Sequence, residues 1–415
     1  MPNISDVQIQ HLVTLEKKRQ QETLCMLASE NVQSEECLRM QASVFANKTL
    51  EGTPGKRYHS GGCYADELEI IANRRACELF RFPHSTVQPH SGSQANHIVY
   101  RALLKPGDKV MAMDLNAGGH LSHGASVNMT SELYAFRHYG VDSTDDQIDY
   151  DALERAANDY RPSLIICGGS SYPRAIEFER LSQIARNVGA LLMIDMSHFS
   201  GQVAANLYPS SIRVADVVTS TFYKSMRGPR GAFILSNSSE IGTKIDKAVF
   251  PGYQGTPAFN VIAAKAVCLH EVRRPSFYNY VRKSLELAQQ LAEHLKDAGF
   301  DLVANGTDTS MLLVDLRKEN FSGRAANELL EAVGIIANHN LAPFDHRSPR
   351  EGSALRLSTN VMAARHIGAM SDEIFSIIIE VLASLHKGKS PNVEATRRRL
   401  VTTLENAAVK PELIA

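Results

Sequence analysis

A mainly parallel α/β sheet covered by helices, followed by a smaller α+β unit, is the fold class this sequence predicts. Three observations carry it. Short apolar runs recur near 86–89, 109–113, 133–137, 163–167, 190–195, 217–222 and 231–235, giving seven strand candidates. Helical spacings such as 93–104, 150–158 and 178–188 separate several of them, and strands alternating with helices close into a parallel sheet buried on both faces. The last two runs lie too close for a helical crossover, so that pair is expected to be antiparallel.

The elements follow in order. Residues 5–20 predict an amphipathic helix with Ile9, Leu12 and Val13 on one face, packed on another subunit or folded back on its own domain. Thr23 to Cys63 reads as irregular, dense in Gly, Pro, Asn and Ser: a mobile linker or an active-site wall built from loops. Beyond Pro275, Phe277, Val281, Leu285, Ala288, Ala292 and Leu295 fall at helical spacing, with Gly299 as the stop. A strand at 311–316, a helix at 323–333, a short strand at 335–337 and a helix from Asp372 to about Leu385 complete the smaller unit. A basic surface helix follows at 392–408. At 415 residues the chain exceeds what one core usually organises. The limits expected are an arm at 1–30, a large domain at 31–276 and a small domain at 277–415.

Composition narrows the function class. A net charge of −1 argues against nucleic-acid binding driven by bulk charge. No apolar run is long enough to span a bilayer, and the polar start lacks the apolar core of a signal peptide. The six cysteines show no C-x-x-C pair, which suits reduced, mostly buried thiols and a cytoplasmic protein without a metal site.

The chemistry gathers around Lys224, in the stretch Val217–Gly231 (V-V-T-S-T-F-Y-K-S-M-R-G-P-R-G). The β-branched run ends just before the lysine, and reactive groups collect at strand ends in α/β sheets. A lysine so placed can bond covalently to a carbonyl cofactor, above all pyridoxal phosphate. The plain alternative is a solvated lysine beside Arg227 and Arg230. Two further stretches weigh against it. Ser91, Gly92 and Ser93, in H-S-G-S-Q-A-N, follow a strand candidate and open a helix, where backbone N–H groups and the dipole favour a phosphate; simple capping by Ser91 or Ser93 competes. Asp195 ends the apolar run L-L-M-I-D, where a carboxylate needs a cationic partner, and a protonated pyridine nitrogen is one. His198 follows three residues later.

The surrounding words are more specific than the residue types. A-S-E-N, E-G-T-P-G-K-R-Y, P-H-S-G-S-Q-A-N, G-G-H-L-S-H-G, S-S-Y-P-R, G-P-R-G and A-V-F-P-G-Y-Q-G-T-P run in register from about Leu27 to Arg365. Together they resemble the serine hydroxymethyltransferase family, which implies the pyridoxal-phosphate-dependent fold type I. The resemblance makes Lys224 the covalent cofactor lysine, Asp195 the partner of the pyridine nitrogen and His120 the ring-stacking residue. Ser91, Gly92 and Ser93 would bind phosphate, with Ser170 and His198 at the cofactor edge. Arg356, helped by Ser29, would clamp the substrate carboxylate, and Glu51 would be the acid–base residue beside Tyr58 and His59. Leu115, Gly119, Leu121 and Asn340 match positions that hold the pteridine of tetrahydrofolate. Glu51, Tyr58 and Gly255 serve the neighbouring subunit in such enzymes, so a homodimer with shared sites is implied.

The sequence also departs from that family. Thr49 and His59 replace tyrosines, Tyr223 and Phe222 replace histidine and threonine, and Asn360 replaces proline. Tyr253 and Thr256 interrupt a glycine-rich segment, and Gly352–Ala354 alters the loop before Arg356. Loss of the tyrosines is expected to open space near the amino acid, and bulk at 222 and 223 to close space beside the lysine. Three functions stay open at this point. One is hydroxymethyl transfer to tetrahydrofolate from serine or an α-substituted serine such as α-methylserine. The others are a folate-independent β-hydroxy-amino-acid aldolase or transaldolase, and a non-catalytic homologue that binds pyridoxal phosphate.

Overall fold

The computed structural model describes residues 5–407; the first four residues of the expected arm and the end of the expected last helix, from residue 408, lie outside them. Seven strands form the large sheet: β1 (His84–Thr86), β2 (Lys109–Met113), β3 (Ala135–Tyr139), β4 (Leu164–Cys167), β5 (Leu191–Asp195), β6 (Val217–Thr221) and β7 (Ala232–Ser236). Their spatial order is β1-β7-β6-β5-β4-β2-β3. Ladders between β2, β3, β4, β5 and β6 are parallel, and β7 runs antiparallel to β6 and β1. Each of the seven expected runs is a strand, the first shifted two residues towards the N-terminus and the third two towards the C-terminus.

Successive side chains of these strands enter different cores, as the two-residue period requires. Val110, Leu164, Ile166, Met193, Val217 and Ile234 pack on one face with Ile98 and Val99. Met111, Ile165, Cys167, Leu192, Ile194, Val218 and Phe233 pack on the other with Phe178 and Leu181. The central strands are buried on both faces and offer function only at their ends, whereas β3 at the sheet edge is largely exposed.

Two helices lie where the sequence reads as irregular or goes unassigned. Glu35–Gln41 is a short helix (α1) capped by Ser34, so Thr23–Cys63 is more ordered than expected. Cys63–Phe80 (α2) is an 18-residue helix whose buried face is Ala65, Glu69, Ala72, Ala76 and Phe80. Small residues and a buried carboxylate do not make an apolar stripe. A third helix, Gly92–Leu103 (α3), is the predicted one, and the N-terminus of this helix faces the end of β6.

The C-terminal part of the chain opens with the long helix α4 (Pro275–Asp297), which buries the expected Phe277, Val281, Ala288, Ala292 and Leu295 together with Tyr280, Leu287 and Leu291, while the expected Leu285 is half-buried. Its sheet consists of β8 (Met311–Asp315), β9 (Asn338–Asn340) and β10 (Ala354–Ser358), ordered β8-β10-β9 and antiparallel. The expected strand near 335 pairs instead, in parallel, with Leu24–Cys25, which ties the N-terminal segment to the small unit. The first helix, Val7–Glu22, buries none of its residues in this chain; Ile9, Leu12 and Val13 are open to solvent. Among the described residues no helix is long and apolar enough to cross a membrane. Their cysteines are unpaired, with Cys37, Cys167 and Cys268 buried and Cys63 exposed.

Candidate active site

Lys224 stands three residues past the end of β6 and is almost fully buried. Burial is the main reason its pKa falls to about 8; Arg356 and Arg230 push the same way, and Asp195 opposes them. The solvated-lysine alternative is thereby excluded. Asn31, in the A-S-E-N segment, donates to the Lys224 carbonyl at 2.9 Å and to the Tyr280 hydroxyl at 2.8 Å, which fixes the lysine backbone against α4.

Asp195, at the end of β5, is also buried. Burial favours its neutral form, yet the His123 hydrogen bond and the fields of His123, His120 and Lys224 outweigh that and hold it well below the usual carboxylate range. Oδ2 accepts from Asn96 Nδ2 at 2.9 Å and meets His123 Nε2 at 3.2 Å, while Oδ1 accepts the Ser197 amide at 3.1 Å. Thr219 donates to Asn96 Oδ1 at 2.7 Å, completing the support. Asn96 and His123 were not among the predicted site residues. They lie 99 and 72 positions from Asp195, and only folding brings them together. His123 belongs to the quoted word G-G-H-L-S-H-G, which was the one available signal. His120, in the same word, is kept neutral at neutral pH: burial lowers its pKa to about 4, with His123 adding to the effect.

A cavity is lined by Ser91, Gly92, Ser93, His120, Gly169, Ser170, Asp195, Ser197, His198, Thr221, Tyr223 and Lys224. Ser91 both lines it and caps α3, accepting the Gln94 amide at 3.1 Å, so the two readings of this segment coexist. A Cβ on Gly92 would come within 2.8 Å of Thr221 Cγ2, so the backbone approaches β6 only because no side chain intervenes.

A wider cavity of about 410 Å³ opens beside the first. Ser29, Leu115, Gly119, Leu121, Asn340 and Arg356 line it, and it shares His120, Ser170, His198, Tyr223 and Lys224 with its neighbour. Arg356 sits on β10 and reaches across to the large sheet. Its Nη1 donates to the Ser170 carbonyl at 2.6 Å and its Nε to Asn338 Oδ1 at 3.0 Å. Both acceptors are neutral, and among the described residues no carboxylate pairs with this guanidinium. Burial lowers its pKa to about 10, so it remains charged at neutral pH. A half-buried cation held by neutral groups, with Nη2 given no acceptor among the described residues, is a site for an anion.

Glu51, Tyr58, His59 and Gly255 line neither cavity. They form a patch of their own: a Cβ on Gly255 would touch Glu51 Oε1 at 3.0 Å, and His59 Nδ1 accepts the Glu51 amide at 3.3 Å. Thr49 is exposed beside them, and Tyr58 is 77% exposed. The loop is nevertheless firmly rooted. Arg57 pairs with Asp66 at 2.7 Å and Glu69 at 2.5 Å, and bonds the Gly52 carbonyl. Gln88 ties Gly52 O (3.1 Å) to Glu69 (2.7 Å).

One expectation about space is corrected. Phe222 does not crowd the lysine side of the cavity; it is fully buried, its ring 4.9 Å from that of Phe233. Tyr223 does line the cavity, with the Arg230 guanidinium 4.5 Å above its ring. Asn360 is buried and accepts from the Tyr280 hydroxyl at 3.3 Å, a polar bridge that proline would lack. Tyr253 shares a 2.9 Å hydrogen bond with His97.

These joined cavities define a class, the pyridoxal-phosphate-dependent enzymes of fold type I. Comparison with known proteins narrows it. The family model described as serine hydroxymethyltransferase matches residues 3–379. A serine hydroxymethyltransferase of Cyanothece sp. is 46% identical over 99% of this chain and 96% of its own length. Those of Nostoc punctiforme (47%, over 92% and 89%) and Coprothermobacter proteolyticus (45%, over 96% and 95%) are similar. The chain belongs to the serine hydroxymethyltransferase family, whose members are pyridoxal-phosphate-dependent one-carbon transferases with tetrahydrofolate as co-substrate. The residues present fit that cofactor: Thr221 Oγ1 is buried in the cavity wall without a partner, Gly92 leaves a cradle, and Asp195 supplies a fixed buried charge.

Proposed function

We propose that the protein transfers the hydroxymethyl group of an α-substituted serine, α-methylserine being the simplest, to tetrahydrofolate, and that plain serine competes less well. The observation that carries the general reaction is the meeting of the two cavities at Lys224, with Asp195 at the back of one and Arg356 in the wall of the other. When bound, pyridoxal phosphate supplies a conjugated electron sink next to the amino-acid Cα.

The chain does the rest. Amides of Ser91, Gly92 and Ser93 at the start of α3 receive the phosphate. Asp195, kept ionised by His123 and Asn96, would pair with the pyridine nitrogen and favour its protonated form. His120, Ser170 and His198, which line the same cavity, would complete the walls that hold the cofactor. Arg356, with Ser29, would grip the substrate carboxylate and so fix the orientation of the Cα–Cβ bond for cleavage. Lys224, with its lowered pKa, can both give and take a proton near neutral pH. Leu115, Gly119, Leu121 and Asn340 offer the wider cavity to the pteridine.

Glu51 takes the β-hydroxyl proton in a site completed by a second copy of the chain, a homodimer arrangement in which Tyr58, His59 and Gly255 also reach across. The rooted yet outward-facing loop supports this reading. Mixing Glu51→Gln and Lys224→Ala chains after co-refolding should restore roughly one-quarter of wild-type activity, because half the dimers are mixed and each has one intact site. No recovery in dimers proven mixed by mass spectrometry would place Glu51 in its own chain's chemistry.

Substrate choice rests on positions 49, 59 and 223, since Phe222 faces the core. Cleavage of Cα–Cβ needs no α-hydrogen, so a methyl there is chemically allowed and only space decides. A methyl clash is worth about 1–3 kcal/mol, or one to two decades of preference. The expected result is a higher folate-dependent kcat/KM for α-methylserine than for serine, reversed by Thr49→Tyr with His59→Tyr. A strong preference for serine in the unaltered protein removes the α-substituted reading and leaves the family reaction. The same assay without tetrahydrofolate isolates aldolase activity.

A further inference from the structure

Lys265, in the helix Phe259–Glu271, is as buried as any apolar residue around it, with 2% of its surface exposed. Burial lowers its pKa to about 7. Its surroundings nevertheless suit an ammonium. Nζ lies 2.6 Å from the Val87 carbonyl, 2.9 Å from that of Pro89 and 3.2 Å from that of Ala232, one acceptor for each of three N–H donors. The Phe222 ring, which replaces the family's threonine, lies with its centroid 5.7 Å from the same nitrogen. Among the described residues no carboxylate forms an ion pair with it.

The three carbonyls belong to two places. Val87 and Pro89 lie on the segment leading from β1 to Ser91, and Ala232 begins β7. A Cβ on Gly231 would collide with Lys265 Cε, so the lysine stem occupies space that the adjacent turn leaves open. The Ala232 amide also donates to Pro89 O at 3.0 Å, so one junction is held by two cross-links.

We propose that Lys265 is a positioning residue for the phosphate end of the site: through Val87, Pro89 and Ala232 it fixes the stretch Pro89–Ser93 in the shape that receives the phosphate, and its partly protonated amine stands behind that stretch. The charge reaches His90, whose pKa is lowered first by burial and then by Lys265. Phe222 thereby acquires a function as the apolar, ring-faced wall of the lysine pocket. This inference rests on the reading of Ser91–Ser93 as the phosphate cradle.

The test compares dissociation constants of pyridoxal phosphate and of pyridoxal, which lacks the phosphate, in the full-length protein and in Lys265→Met. Loss of three charge-assisted bonds under the cradle should weaken pyridoxal phosphate about tenfold or more. Pyridoxal, which does not use the cradle, should change less than about twofold. Lys265→Gln keeps two donors for the same carbonyls and should show the same pattern, weaker, should the methionine variant not fold. Equal loss for both ligands, or unchanged pyridoxal phosphate binding in a folded variant, overturns the proposal. A wild-type protein that binds both ligands equally removes the cradle reading and this inference with it. A preference retained in the variants removes the inference alone.

Discussion

Lys224→Ala is expected to lose both the visible absorbance of the lysine-bound cofactor and nearly all transfer activity, with kcat lower by about 10²–10⁴-fold or more, the range a positioned proton-transfer group contributes. The loss should be chemical. Lys224 takes no part in the bonds that support Asp195, and its carbonyl, held by Asn31, is retained in the variant. Near-wild-type thermal stability alongside lost activity is therefore the expected pattern. Retained absorbance after dialysis would show that another amine carries the cofactor.

Arg356→Ala should have the next largest effect, a fall in kcat/KM of roughly 10²–10³-fold, as expected when one partner of a buried charged contact worth about 2–5 kcal/mol is removed. Arg356→Lys keeps the charge and should recover little of it. A lysine cannot reach Asn338 and Ser170 and still offer a planar fork to a carboxylate. The specific check is substrate structure. Against an amino-alcohol analogue without a carboxylate, wild type and variant should perform alike. An equal loss on both substrates would mean that Arg356 matters only for joining β10 to the loop at Ser170.

Strands β2, β4, β5, β6 and β7 were legible because strands buried on both faces are near-continuous apolar runs, and the ends of β5 and β6 put Asp195 and Lys224 in view; β3, largely exposed, was placed two residues early. The helix Cys63–Phe80 was not legible: its contact face is alanines and a buried Glu69, whose charge is met only by Arg57 in three dimensions. Phe222 was read towards the wrong side because alternation stops at Thr221, where the strand ends. The support of Asp195 by Asn96 and His123 could not be read from spacing, since it depends on α3 packing across the ends of β5 and β6. Arg356 was found from its motif, although its strand, Ala354–Ser358, had not been assigned.

The rooting of the Gly52–Arg57 hairpin has a consequence for how substrate preference is inherited. The hairpin is bolted to its own chain by Arg57, Asp66, Glu69 and Gln88, while Thr49, Glu51 and His59 line neither of that chain's cavities. If those residues act across the interface, preference belongs to a pairing of two chains and is not encoded by either alone. A heterodimer with a relative that carries tyrosines at both positions would then hold two unlike sites. One would set Thr49 and His59 over the relative's lysine, and the other would set the relative's tyrosines over Lys224 and Tyr223. Co-expressed paralogues of this kind could produce a third specificity without a single new mutation.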